Sequence, residues 1–161
     1  MARSGSFGIN YKKSYGTDPS IVEAKLGDLG TDTDGEWVYV KASAAVAQYA
    51  FVVITKDNTV AELTTTNAGS NSLQVGVAQI ALAANEYGWV WIGGPMGGGT
   101  GKGIKGKIAA SYVAEANLYT TATAGVADDA ATTLIKNVVG LTATVGAGTV
   151  ELKSQGYLSV N

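Results

Sequence analysis

The chain has 161 residues with no histidine, no cysteine and two prolines, and 80 positions are Ala, Gly, Thr or Val. Only 15% of residues are charged, and the net charge is −2. This excludes Cys/His zinc sites, disulfides and any triad with a His base, and it leaves no basic field of the kind nucleic acid requires.

At 46% hydrophobic the chain can bury the core of one domain, or of two small lobes sharing a core. No stretch approaches the roughly 18 continuous apolar residues of a spanning helix. Residues 1–15 carry no apolar run after Arg3 of the signal-peptide type. The sequence therefore reads as a soluble protein made in a cytoplasm, with neither membrane nor nucleic acid among its partners. Charge is uneven: residues 1–36 hold four basic and six acidic side chains, and residues 37–161 hold seven of each sign.

In chain order, residues 1–35 are rich in Gly, Ser, Thr and Asp, with isolated large apolar residues and no sustained period. Two readings stand for them: a solvated tail, or an extended arm that orders against a partner through its spaced aromatics. From Glu36 the pattern becomes β-like. Glu36-Trp37-Val38-Tyr39-Val40-Lys41 follows the turn signal Asp34-Gly35. Ala50-Phe51-Val52-Val53-Ile54-Thr55 is continuously apolar, as in a strand buried on both faces, and ends at a hairpin signal, Lys56-Asp57-Asn58. Alternation at Leu73, Val75 and Val77 predicts the next strand, and Trp89-Val90-Trp91-Ile92 the one after it. Leu118-Tyr119-Thr120-Thr121, the alternating run Val139, Leu141, Ala143 and Val145, then Val150 and Leu152, and finally Tyr157-Leu158-Ser159-Val160 complete the set. The Ala-rich stretches 42–47 and 122–131 have no 3.6-residue stripe, so the fold class is all-β, a compact sandwich or barrel-like body over 36–161.

An internal echo organises that body. Val46-Ala47-Gln48 with Phe51 matches Val113-Ala114-Glu115 with Leu118 at an offset of 67, and Val75-Gly76-Val77 matches Val139-Gly140-Leu141 at 64. Two β units, 36–94 and 104–161, joined by the Gly-rich stretch from Gly93 to Gly101, fit this pattern.

The motifs with chemical potential are weak. Gly101-Lys102 lacks the flanking residues of a phosphate loop. Gly101-x-Gly103-x-x-Gly106 matches a dinucleotide fingerprint only as text, since the next segment, Lys107 to Thr121, does not read as a helix. Lys102, Lys105 and Lys107 read as a solvated loop. Asp32-x-Asp34-x-Glu36 begins like a calcium loop but has Trp37 where the loop needs Gly. Asp128-Asp129 reads as a turn; a hydrolase would need two carboxylates converging in a cleft. Trp89 and Trp91 share one face of their strand, and an exposed face of this kind would be a protein interface or a sugar-stacking platform.

The run Leu26-Gly27-Asp28-Leu29-Gly30, then Asp34 through Ser43, Val75-Gly76-Val77-Ala78-Gln79 and Ala84 through Pro95 resembles a family of small tailed-bacteriophage head proteins, the capsid decoration or cement proteins. The segments Asn117 to Gly125 and Val138-Val139-Gly140-Leu141 extend the resemblance over about residues 26–160. The resemblance implies a structural virion protein, not an enzyme and without cofactors. It would bind the major capsid protein on the capsid exterior as a homo-oligomer, typically a trimer. Phe7, Tyr11, Lys12, Lys13 and Tyr15 are the expected capsid or inter-protomer contacts, and Trp89 and Trp91 the expected exposed aromatic interface. The alternative is a head-fibre or glycan-binding module using the Trp face.

Overall fold

The computed structural model describes residues 9–18, 24–69, 74–130 and 132–160. Among the described residues eleven strands, β1 (Leu29–Asp32), β2 (Gly35–Ala42), β3 (Phe51–Ile54), β4 (Thr59–Glu62), β5 (Gln74–Ala78), β6 (Tyr87–Gly94), β7 (Lys105–Ile108), β8 (Asn117–Thr120), β9 (Ala127–Asp128), β10 (Leu134–Gly140) and β11 (Gly148–Val160), form a single mixed sheet. One short helix, α1 (Thr65–Ala68), sits between β4 and β5. The fold is all-β, as the alternation and the β-branched runs require. Helix α1 has no signal in hydrophobic period. It rests on a reciprocal cap, in which the Asn67 N–H donates to Thr64 Oγ1 and the Thr64 N–H donates to Asn67 Oδ1.

The sheet closes on itself twice. In the first unit β2 lies parallel to β4, β4 antiparallel to β3, β3 to β5, β5 to β6, and β6 returns to β2. In the second unit β7 is parallel to β9, β9 antiparallel to β8, β8 to β10, β10 to β11, and β11 returns to β7. Each is a five-stranded closed ring with the same connectivity, and the registers agree at matching positions outside an irregularity in β10. Ala42 pairs Val60 as Ile108 pairs Ala127, and Lys41 pairs Tyr87 as Lys107 pairs Thr149. Phe51 pairs Val77 as Asn117 pairs Val139. These pairs correct the offsets read from the sequence: β3 maps to β8 at 66, as Phe51 to Asn117, and the end of β5 maps to β10 at 62, as Val77 to Val139. The textual match was displaced by one and by two residues because Val, Ala and Gly recur so often that several alignments score alike.

Burial follows the pleat, in which successive side chains point to opposite faces. Val38, Val40, Val52, Ile54, Val90 and Ile92 cluster inside the first ring. Their sequence neighbours Trp37, Phe51, Val53 and Trp91 point the other way and join Ile108, Leu118 and Leu152 of the second unit in one larger core. This is why the 51–54 run is continuously apolar and buried on both faces. The units are further joined by the Gln79 side chain, whose amide donates to Lys105 O at 2.9 Å while its oxygen accepts the Lys105 N–H at 3.0 Å. The Gly-rich connection is held too: Gly93 and Gly94 pair with Tyr157 and Gly156 of β11, Gly98 N–H donates to Asp34 O, and Gly99 N–H to Leu152 O.

The predicted alternating strand at 139–145 is corrected. The strand lies earlier, at Leu134–Gly140, and only Thr144 within 141–147 makes a bridge, to Tyr112.

Candidate functional site

The β2–β6 register builds an aromatic face, placing Trp37 opposite Trp91 and Tyr39 opposite Trp89. The N-terminal segment lies along it. Tyr11 stacks on Trp37 with ring centroids 4.3 Å apart and planes 9° from parallel. Tyr15 meets Tyr39 edge-on at 5.7 Å, its N–H donates to Tyr87 O at 2.9 Å, and the Tyr87 N–H donates to Gly16 O at 3.0 Å. The ammonium groups of Lys12 and Lys13 sit 5.7 and 5.0 Å from the Tyr11 and Tyr15 ring centroids, with both side chains otherwise exposed.

The expected contact residues are therefore placed as follows. Tyr11 and Tyr15 anchor their own protomer, Lys12 and Lys13 decorate the outer side of that seam, and Phe7 lies outside the described residues. The expectation of an exposed aromatic interface at Trp89 and Trp91 is corrected. Trp91 is fully buried and its indole N–H donates to Asp34 O at 2.9 Å. Trp89 is half-buried, with its ring 5.3 Å from that of Tyr39. Two Trp on one strand face signal burial as readily as exposure, and here the chain's own N-terminal segment helps to cover them. That segment is also shorter than residues 1–35 suggested, because residues 29–32 are strand β1, paired along its length with β2.

The acidic run ahead of β2 forms a turn. Asp32 Oδ1 accepts the Asp34 N–H at 2.8 Å, and Gly35 at φ 127° turns the chain where a Cβ would strike Gly93 O at 2.5 Å. Burial, then the neighbouring Asp32, hold the Asp34 carboxyl above the usual range, partly offset by Lys102 and Lys12. Burial first, then Asp34 and Asp32, raise the Tyr11 hydroxyl likewise. Among the described residues no three acidic side chains are grouped to hold a metal.

Asp128 and Asp129 do not converge on a cleft. The first accepts the Asp129 N–H at 2.7 Å and the second the Val113 N–H at 2.9 Å. Gly101-x-Gly103-x-x-Gly106 runs from a turn into strand β7, so the helix that a dinucleotide loop needs does not follow it. Of the three lysines there, Lys102 reaches Thr33 O at 3.5 Å and Lys105 lies 6.0 Å from the Tyr49 ring centroid.

Two surface hollows were not anticipated. One, of about 280 Å³, lies between the β1–β2 turn and the chain from Gly93 to Gly97, beside Met96, which is 82% exposed. The other, of about 310 Å³, lies over β10 and β11. At the far end of the second unit Val113 and Val145 stand 66% and 102% exposed beside the Tyr112–Thr144 bridge. The sequence signal available for these was the echo itself, because equivalent positions in the first unit carry different residues. Comparison of the chain with protein-family models, with curated proteins and with solved structures finds no match.

Proposed function

We propose that this protein is a structural virion protein that binds the outer surface of a phage capsid and stabilises it non-covalently. The observation that carries the proposal is the architecture: two closed β rings fused through a shared core and a hydrogen-bonded Gly-rich connection. A block of this kind can brace neighbouring subunits because closed rings keep few free strand edges and deform little. Exposed apolar residues such as Met96, Val113 and Val145 are available as contact points. Modest contacts multiply on a capsid because every copy binds an equivalent site. The resemblance to decoration proteins supplies the partner, and a homotrimer on the capsid exterior is the assembly it suggests.

The test is direct. Purified virions of the source phage should contain this chain at a copy number comparable to the major capsid protein, and light scattering of the isolated protein should give a trimer. Virions that lack the chain would overturn the reading, and a stable monomer would overturn the trimer. The glycan-binding alternative loses its platform, since Trp91 is fully buried and Trp89 is packed against Tyr39.

A further inference from the structure

Among the described residues every strand of the two rings has neighbours on both sides, and β1 has one on a single side, β2. The fold does not demand this extra strand, because the second unit closes the same ring with no strand between β6 and β7 to match it. The ladder between β1 and β2 continues back to Asp28, whose carbonyl accepts the Tyr39 N–H at 2.9 Å. In an antiparallel strand the main-chain groups facing one neighbour alternate along the chain. Asp28, Gly30 and Asp32 therefore turn theirs to β2, and Leu29 and Thr31 turn theirs outward. Those outward groups have no partner among the described residues.

Two of the exposed large apolar residues flank this edge, Leu29 at 64% and Leu26 at 41%. On the face that Asp28, Gly30 and Asp32 share, the Ile9 side chain packs over Gly30. Asp28 and Asp32 lie on either side of that spot. Among the described residues each carboxylate is held only by a main-chain N–H, of Lys25 and of Asp34 respectively, both at 2.8 Å. Lys12 and Lys102 act instead on Asp34, in the turn beyond. The acids also decide against a second copy of this chain. Two β1 strands paired antiparallel through both Leu29 and Thr31 would set Asp28 opposite Asp32 at each end, and like charges directly opposite destabilise a sheet.

We propose that the open edge of β1 accepts an extended, basic segment of a partner protein as an added antiparallel strand. The main-chain groups of Leu29 and Thr31 supply the hydrogen bonds, and the side chains of the shared face supply the choice of partner. A Lys or Arg falls opposite each of Asp28 and Asp32, and an apolar residue between them falls opposite Gly30, beside Ile9. The segment that fits thus alternates basic, apolar, basic on this face. Charge closes the edge to its own kind and leaves it open to the opposite sign. The site stands independently of the capsid reading, because it asks only that the partner display such a segment.

The test uses the full chain and a blocked synthetic peptide, Lys-Val-Phe-Val-Lys, read by amide chemical shifts and hydrogen exchange. In the free protein the Leu29 and Thr31 amides should exchange faster than those of Gly30 and Asp32, and the peptide should shift them and slow them. Asp28→Asn combined with Asp32→Asn keeps an acceptor for each turn N–H and should weaken binding about tenfold. Thr31→Pro removes an outward N–H and should abolish binding while the amides that face β2 stay protected. Equal binding of Glu-Val-Phe-Val-Glu, shifts confined to another surface, or unchanged affinity in both variants would each overturn the proposal. So would slow exchange of Leu29 and Thr31 without peptide, which means an edge already covered, or shifts there that depend on protein concentration, which mean a second copy. Failure here leaves the virion copy-number test untouched.

Discussion

Phe51 of the first unit reaches the second at Gly106, and the contact is close enough to test by a single methyl group. A Cβ built on Gly106 would lie 2.8 Å from both Phe51 Cε2 and Cζ, and 2.9 Å from Leu152 Cδ1. Gly106 is not in the left-handed region, so Gly106→Ala adds volume without backbone strain. Phe51 and Leu152 are both fully buried and have no free space to retreat into. Overpacking of this kind costs about 1–3 kcal/mol, which for a chain of this size lowers the melting temperature by roughly 2–12 °C. Phe51→Leu alone should cost about 1–2 kcal/mol through the volume it removes. The two changes together should cost less than their sum by about 1–2 kcal/mol, because the added methyl occupies space the ring has vacated. Urea denaturation of the four proteins in the cycle measures the coupling. Strict additivity would refute the claim that these two residues lock the units into one core.

Three further outcomes follow from the same geometry. Tyr11→Ala removes the ring stacked on Trp37 and should destabilise by about 1–2 kcal/mol, with red-shifted tryptophan emission; an unchanged spectrum would mean that the N-terminal segment does not cover Trp37 in solution. Tyr112→Phe leaves the Gly140 N–H, 2.9 Å from the hydroxyl, and the Ala116 carbonyl without that partner, and should cost about 1–3 kcal/mol by thermal melting. For Asp34 the folded carboxyl is raised, so the folded chain holds the proton more tightly than the unfolded one, and the associated stability is lost as pH rises through the folded value. Asp34→Asn should therefore melt higher than the parent at pH 7 and level with it at pH 3, and equal melting at both would refute the assignment.

The fold class was legible because β-branched runs and turn residues agree at almost every strand: Asn58 at φ 56° and Asn85 at φ 68° turn the chain where the sequence signals turns. The doubling was legible too, although its registration was not, since small residues repeat too densely to fix an alignment. The site was the least legible part. The sequence places Trp91 beside Trp89 on one face but is silent on what packs there, and the Asp34 carbonyl that accepts the Trp91 indole N–H is backbone, which no side-chain pattern reports. The β10 bulge was hidden for a similar reason. A strand written Leu-Ile-Lys-Asn-Val-Val-Gly alternates poorly, but only the pairing partners Asn117 and Leu118 reveal that three residues stand outside the ladder with β8.

The duplicated rings also separate what the fold needs from what it does not. Inside, the differences compensate: Val40 faces Gly88 in the first ring, and the equivalent pair in the second is Gly106 facing Val150, so bulk moves across the ladder. Similarly, the apolar bridge Val46–Leu82 becomes Tyr112–Thr144, and the larger ring brings a hydroxyl that bonds within its own unit. Outside, nothing compensates. Ala47 and Ala83 beside the first bridge correspond to Val113 and Val145 beside the second, both far into solvent, and the inserted Lys136–Val138 has no counterpart. Burying two valines in a partner is worth about 1.5–3 kcal/mol each, whereas leaving them in water contributes nothing to the ring. These exposed changes fall on the second unit, while strand β1, helix α1 and the covering N-terminal segment belong to the first.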